Sequence, residues 1–478
     1  MLNTIKKILP RRLFRAGQPG YHFLMSWLSA LFCGFPSQKL IVIGVTGTAG
    51  KTSLVYLIAK MLSGAGYKTG FTSTTVFSDG DHEWLNDKKM TMPGRNFIQK
   101  ILRRMVKNGC RYAVVETTSE GIKQFRHRFI NYDVVVFTSL YSEHLESHGS
   151  FAKYKEAKGK LFAHLKRGRV KYINEERAIA SAKSGLKKLE LNRVKKTIVV
   201  NGDDQEGEYF LNFWSEAKLV FTFNPQAESG RWLNNMVSEA RVDDFILVRG
   251  DKIEARADGT NLEIDGQIIN LQLLGEFNAH NALAAYAVGR NQMIPRDLIK
   301  TGLETIKSLA GKLELIDAGQ DFLVMVDYSF EPKALTKLYQ TIDLIPHHRL
   351  IHVLGSTGGG RDKARRPILG QLAGEKADFV VVTNEDPYDE DPQLIINQVA
   401  AGAEEAGKEI GKNLFLILDR QEAIVKALEL AKKDDLVLIT GKGAEQAICV
   451  ANGRKIPWDD RETARIAIVD KMCIDKSL

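Results

Sequence analysis

At 478 residues the chain is long for a single hydrophobic core, so two or three domains are expected. A formal charge of +9, from 67 Lys/Arg against 58 Asp/Glu, suits an anionic substrate or a membrane surface. The charges are interspersed and no recognition motif accompanies them, which argues against nucleic-acid binding. Four widely spaced cysteines, Cys33, Cys110, Cys449 and Cys473, form no CxxC pair; this argues against a zinc ribbon or a disulfide framework and fits a reducing, cytoplasmic setting.

The N-terminal segment, residues 1–37, places five Lys/Arg ahead of a mostly apolar run at 21–35. That run is shorter than the about 20 residues a membrane span needs. No clear cleavage site follows it, and a nucleotide-binding strand begins soon after, so a secretory signal does not fit. Two readings stand: a helix packed on the next domain, or a basic, amphipathic membrane-surface anchor. From Lys39 apolar strands alternate with amphipathic helices: LIVIGV, a helix over 52–65, YAVVET, a helix, then DVVVFTSL. Such alternation predicts a parallel sheet covered on both faces. Over 165–270 short strands such as KLVFTF and DFILVRG predict a more antiparallel flank, before LLGEFNAHNALAAYAVG returns to a helical pattern. After Ala310 come DFLVMVDY, RLIHVLGS, ADFVVVTN, LFLILD and DLVLITGKG, separated by helices, which read as a separate doubly wound, Rossmann-like domain. The predicted class is α/β, with a P-loop domain over 38–308 and a second domain over 309–478.

Chemistry is first legible in VIGVTGTAGKTS, residues 42–53. Glycines let backbone N–H groups approach phosphate oxygens, the helix N-terminus favours anions, Lys51 adds charge, and the Thr52 hydroxyl can reach Mg²⁺. Val45 stands five residues before Gly50, so the strict GxxxxGK spacing is not met, and Gly47 compensates in a TGTxGKT version. The predicted ligand is ATP. A P-loop alone does not separate a kinase, a motor and a ligase.

The strand YAVVETTSEG ends in Glu116, and DVVVFTSLYSEHLESHG ends near His144 and His148. Strand C-termini line the crevice of an open parallel sheet, so Glu116 and His144 are candidates to hold Mg²⁺ beside the triphosphate. Glu116 alone would also suit a strand-end carboxylate, and His148 better suits a cap or packing role. Lys158 in KYKEAKGKLF reads by composition as one more solvated lysine.

The ordered motifs TGTAGKT, the Glu116 strand, VFTSLYSEHLESHGSFAKYKEAKGKLF, GEFNAHNALAA, GKLE before VDYSFEP, GGGRDKARRP, VTNEDPYDEDP, GKGAEQ and WDDRETAR closely resemble the Mur ligase family. The likeness is to its UDP-N-acetylmuramoyl-tripeptide synthetase (MurE) type, and covers about residues 38–470. The resemblance implies a central P-loop ATPase domain, a C-terminal Rossmann-like amino-acid-binding domain, and an ATP-dependent amide-bond ligase of peptidoglycan precursor synthesis, acting as a monomer on small molecules. A substrate carboxylate attacks the γ-phosphate to give an acyl phosphate and ADP; an amino acid's amine then displaces phosphate.

Carried over by matching letters, Lys51, Glu116, His144 and Lys158 are catalytic. ATP falls to Gly47, Thr48, Gly50, Lys51, Thr52, Ser53, Asn278, Asn281, Lys312 and Asp327, with Lys312 standing where an arginine is usual. Mg²⁺ falls to Thr52, Glu116, His144 and Lys158, the last matching a lysine that the family carbamylates, which reverses its surface reading. The resemblance assigns Arg361, Glu385, Asp386, Tyr388, Gly441 and Glu445 to the incoming amino acid, and Thr91, Thr118, Ser119 and Arg126 to the muropeptide donor.

Departures from the family pattern include Ala49, Glu120, Phe330 and Ala444. Only residues 1–37 stand where MurE-type ligases carry a uridine-nucleotide domain, so a non-UDP or lipid-linked donor is an alternative expectation. In the segment that reads DNPR in diaminopimelate-adding members, this chain has Glu385, Asp386, Pro387 and Tyr388, which predicts an amino acid with a cationic side chain, such as lysine or ornithine. A MurT-like or folylpolyglutamate-like ligase, or an inactive ATP-binding regulator, are the alternatives. Asp391 before Pro392 reads as a helix N-cap, with Asp389 and Glu390 at that helix's positive end.

Overall fold

In the computed structural model, which describes residues 11–141, 149–173, 178–180, 192–224, 231–238 and 245–475, the run IVIGVT forms strand β1 (Ile41–Thr46), buried at every position. Alternate residues feed two cores: Ile41, Ile43 and Val45 join one cluster, Leu40 and Val42 the other. An unbroken apolar strand requires cover on both faces. Helix α1 (Arg11–Phe32) precedes β1 and α2 (Lys51–Gly64) leaves the turn after it. Of the helices on the sheet, α3 (Arg95–Lys107) and α4 (Phe151–Leu165) cover one face, whereas α5 (Glu276–Asn291) joins α2 on the other.

β1 pairs in parallel with β2 (Tyr112–Glu116) and β3 (Val134–Phe137), matching Val45 with Glu116 and Thr46 with Phe137. The C-terminal ends of three strands therefore meet at one edge, where parallel sheets bind ligands. Among the described residues this sheet has eleven strands.

The flank expected to be antiparallel is mixed: Lys171–Ile173 pairs antiparallel with Ala178–Ala180 and Asn192–Val194, but the strands that follow first extend the parallel sheet. KLVFT of the KLVFTF run lies in Ala217–Thr222, which continues the parallel order, and Ile246–Arg256 pairs in parallel with it. Beyond a register shift between Gly250 and Lys252, the second half of that long strand pairs antiparallel with Gly259–Ile264. The bulge lets one strand end the parallel sheet and begin a meander.

The second sheet contains β4 (Leu323–Asp327), β5 (Phe379–Thr383) and β6 (Leu436–Thr440) with Leu350–Leu354 and Leu414–Ile417, all parallel; Glu314–Leu315 runs antiparallel at its edge. Its two faces carry separate clusters, as a doubly wound sheet requires. No described helix is long and apolar enough to cross a membrane.

At the entry to β1 a buried carboxylate organises the sheet. Asp133 accepts from the Val42 amide at 2.8 Å and holds Lys171 at 2.5 Å and Lys196 at 2.9 Å, all three side chains fully enclosed. Burial drives Lys171 down to about 8, with Asp133 opposing the fall. Asp133→Ala leaves two buried ammonium groups uncompensated, and a loss of about 3–5 kcal/mol is expected in urea unfolding, with an unchanged m-value.

Candidate active site

The turn after β1 is shaped for close approach. Gly50 has φ of 79°, and a Cβ there would stand 2.6 Å from Asn281 Oδ1; a Cβ at Gly47 would collide with Thr138 Oγ1. The Thr48 amide donates to the Ser139 carbonyl at 2.7 Å, the Ala49 amide to Ser139 Oγ at 3.2 Å, and Lys51 Nζ to the Thr48 carbonyl at 2.6 Å. A cavity of about 730 Å³ opens here, lined by Gly50 and Ser53, by Asn278 and Asn281 of α5, and by Lys312 and Asp327. Its volume lies within the range of small-molecule sites. Asp327, closing β4, accepts from the amides of Leu313 (2.9 Å) and Ser329 (2.6 Å). The Lys312 ammonium stands 4.7 Å from the Tyr328 ring centre; burial lowers its pKa, Asp327 and Glu116 oppose this, and Lys51 lowers it further. Both halves of the chain thus contribute to one charged pocket.

A hydrogen-bonded path leaves this pocket. Thr52 Oγ1 donates to Glu116 Oε2 at 3.0 Å; the Thr74 amide and hydroxyl donate to the same carboxylate at 2.9 and 3.0 Å; Thr74 Oγ1 lies 2.8 Å from Thr91 Oγ1. The path ends in a second cavity of about 400 Å³, which Thr74 and Thr91 both line. Lys158 is 1% exposed, bonds the Gly47 carbonyl at 2.6 Å and lies over the Tyr154 ring. The Thr52 hydroxyl and the Glu116 carboxylate are hard oxygen donors of the kind that suit Mg²⁺. Among the described residues no larger cluster of His, Cys, Asp or Glu could hold a metal.

The second cavity collects the candidates assigned to donor and amino acid alike: Thr91, Thr118, Ser119 and Arg126 on one side, Arg361, Glu385, Asp386, Tyr388, Gly441 and Glu445 on the other. Thr118 caps a short helix by accepting from the Gly121 amide at 3.1 Å, and Arg126 donates to Gln124 at 2.6 Å and to the Met92 carbonyl. Across the cavity Asp386 accepts from Lys89 (2.7 Å), Lys442 (2.8 Å) and the Cys449 amide (2.7 Å). Glu445 holds the same two lysines, Lys89 at 3.0 Å and Lys442 at 2.6 Å, and accepts from Tyr328 Oη at 3.1 Å. Glu385 stands apart: its Oε1 accepts from Thr357 at 2.5 Å, while its buried Oε2 has no hydrogen-bond partner among the described residues.

The sequence matches the Mur ligase middle domain over residues 45–196 and the Mur ligase glutamate ligase domain over 311–443. It is 34% identical over 460 residues to the UDP-N-acetylmuramyl-tripeptide synthetase of Roseiflexus sp. (strain RS-1), spanning 95% of this chain and 83% of the relative. The chain belongs to the Mur ligase family. The UDP-N-acetylmuramoyl-L-alanyl-D-glutamate--2,6-diaminopimelate ligase of Bacillus cereus is 31% identical over 93% of this chain and 81% of its own. A solved diaminopimelate ligase structure of the same description superposes with a TM-score of 0.56 at 25% identity, covering 91% of this chain and 79% of that one. The protein is an ATP-dependent amide-bond ligase, MurE-like, of peptidoglycan precursor synthesis.

In this Mur ligase the tertiary structure adds the surroundings of two residues singled out in the sequence. Lys158 is no solvated lysine: Tyr154, Ala157, Lys158, Leu161 and Phe162 share the buried face of α4, a periodicity that composition alone had hidden. Asp386, assigned by the resemblance to the amino acid, is held by two lysines and an amide. Burial pushes its pKa up, and Lys442 and Lys89 more than offset this, holding it below the usual carboxylate range. Glu385 also lines the pocket; burial raises its pKa, while Thr357 and Lys442 oppose. Tyr388, with φ of 52°, has its phenol pushed up to about 12 by burial and then by Asp386, so it stays neutral.

Sequence reasoning missed Thr74 and Lys89. The first lies in an unpatterned run of Thr and Ser, and the second in a turn at φ of 52°, so neither carried a local signal. His144 and His148 lie outside the described residues.

Proposed function

We propose that this ligase joins an amino acid with a cationic side chain to the free carboxylate of a muropeptide precursor, with residues 38–308 handling ATP and donor and 309–478 the amino acid. The path from Thr52 through Glu116 and Thr74 to Thr91 supports this reading, because it links the loop that receives the γ-phosphate to the cavity that receives the donor carboxylate. Gly47, Thr48, Gly50, Lys51 and Ser53 cradle the phosphates, and Asn278, Asn281, Lys312 and Asp327 hold the rest of the nucleotide.

The donor carboxylate, oriented by Thr91, Thr118, Ser119 and Arg126, attacks the γ-phosphorus; an O–P bond forms, the bond to ADP breaks, and an acyl phosphate results. The amino acid's neutral amine, oriented by Arg361 and Glu385, attacks the acyl carbon; a C–N bond forms, the C–O bond to phosphate breaks, and the amine's proton is released. Holding both reactants in register supplies much of the acceleration. Thr52 and Glu116, with His144 and Lys158, would hold Mg²⁺, which draws charge from the phosphate oxygens. Carbamylation of Lys158 by CO₂ would turn this enclosed cation into an anion on the metal side of the loop.

Selection of a cationic side chain follows from the charges facing the cavity. Lys89 and Lys442 are held by Asp386 and Glu445, and Glu120 lies beside Lys123. This leaves Glu385 as the buried lining carboxylate with an unbonded oxygen to meet a second ammonium group, Arg126 and Arg361 standing nearby for carboxylates. Amino-acid-dependent phosphate release, run over a grid of donors and amino acids, is expected to favour lysine or ornithine over diaminopimelate by at least about tenfold, the factor given by about 1.4 kcal/mol. Diaminopimelate outperforming lysine would defeat this assignment.

A lipid-linked donor is the second reading, favoured by the position of α1: Arg95 stacks on Tyr21 and hydrogen-bonds His22, and the same His22 feels the charge of Arg126 at the donor end of the cavity. Efficient turnover of a UDP-linked dipeptide donor beside none of its lipid-linked counterpart would sink it.

A further inference from the structure

Helix α1 is built the wrong way round for a helix that only packs on its neighbour. Ser26, Ser29 and Ala30 face the protein, Ser26 Oγ donating to its own helix at the His22 carbonyl and Ser29 Oγ to the Arg95 carbonyl of α3 at 3.2 Å. Several large apolar side chains stand exposed: Leu24, Trp27 and Leu31 follow a helical i, i+3, i+7 stripe, flanked by Tyr21 and by Phe32, which is 77% exposed. A contiguous exposed apolar stripe of this kind marks an interaction surface.

The sequence that leads into α1, and the described surface beside it, are rich in basic residues. Lys6, Lys7, Arg11, Arg12, Arg15 and Lys39 occur in the sequence with no acidic residue before Asp79. On α3, beneath the helix, Lys100, Arg103, Arg104 and Lys107 are exposed and the helix contains no acid; Arg103 donates to the Phe32 carbonyl at 3.3 Å. At the other side Phe23 packs edge-on against Phe129 and Phe125, and the Arg128 guanidinium lies 5.7 Å from the Phe23 ring centre. Arg128 also lines a cleft of about 410 Å³ with Lys123, Lys153, Lys160 and Arg167, in which Glu156 is the one acid among the described lining residues.

We propose that the outward face of α1 seats in the interface of an anionic phospholipid bilayer, with the adjoining basic cleft taking headgroup phosphate. Apolar side chains on a helix that does not span, bordered by cations, are the combination that interfacial binding to anionic lipid requires. A partner protein with an acidic surface would match the cations but would not need the exposed apolar stripe of Leu24, Trp27 and Leu31 beside Phe32. The inference is independent of which donor or amino acid the ligase uses.

The test is flotation of the full-length protein, without substrates, on phosphatidylcholine vesicles and on vesicles with about one-quarter phosphatidylglycerol. Partition is expected to be at least about tenfold higher on the anionic vesicles and to weaken with salt. The L24E/W27E/L31E variant should lose that binding while keeping its unfolding temperature and its phosphate release on soluble donor. The R128A/R167A variant, with the apolar stripe intact, should lose the preference for anionic lipid. Absence of flotation, equal partition on both vesicles, or equal partition of wild type and L24E/W27E/L31E would overturn the proposal. So would light scattering that shows a dimer for the wild type and a monomer for that variant, since a second copy would then cover the stripe.

Discussion

Alanine at Lys51 is expected to lower amino-acid-dependent phosphate release by roughly 10²–10³-fold, the size of effect found when one preorganised charge is removed from a reacting oxyanion. The ammonium bonds the Thr48 carbonyl on the same loop, so its loss should leave the fold intact, and circular dichroism should match the wild type. The loss belongs in kcat rather than in the KM for the amino acid, whose cavity is separated from this loop by Glu116 and Thr74. Undiminished phosphate release from Lys51→Ala would remove the loop from the chemistry.

The second large effect is expected at Glu385. Glu385→Gln keeps the shape and the hydrogen bond to Thr357 but removes the charge from the buried lining carboxylate whose Oε2 has no hydrogen-bond partner among the described residues. Losing a buried charge partner costs about 2–5 kcal/mol, so kcat/KM for a cationic amino acid should fall at least about 30-fold while the KM for ATP is unchanged. The pH profile gives an independent reading. Because burial raises the Glu385 pKa, the carboxylate takes up its proton at a higher pH than an ordinary glutamate as the solution is acidified. Lysine-dependent kcat/KM should therefore decline on the acid side through that raised pKa, and Glu385→Gln should lack this limb. An unchanged acid limb in the variant would assign it to another group.

The acids of TNEDPYDEDP show how a cluster in sequence separates in space. Asp391 caps the helix Pro392–Glu405 by accepting from the Gln393 amide at 3.0 Å, as its position before proline predicts. Asp389 instead accepts from the Asn452 amide at 2.8 Å, and Glu390 pairs with the enclosed Arg366 at 3.0 Å. Neither needs the helix dipole expected for it. Asp386 belongs to a bridge between residues far apart in the chain, and Glu385, its neighbour, is left facing the cavity. These five acids carry five different duties because all lie beyond the end of β5, in a loop whose path aims each side chain at a different neighbour.

What the sequence determined by itself is local. Strand, glycine turn and Lys-Thr helix start lie within twelve contiguous residues, so the phosphate loop is legible wherever the chain goes; the alternation of apolar strands and helices dictates two α/β sheets in the same way. Tertiary structure alone decided which charges remain available. Lys89 reaches Asp386 from 297 positions away, Thr74 bridges Glu116 and Thr91, and α1 turns its small residues inward. The physical reason is that a charge's effect depends on partners within a few ångströms and on exclusion of water, and the linear order of residues specifies neither.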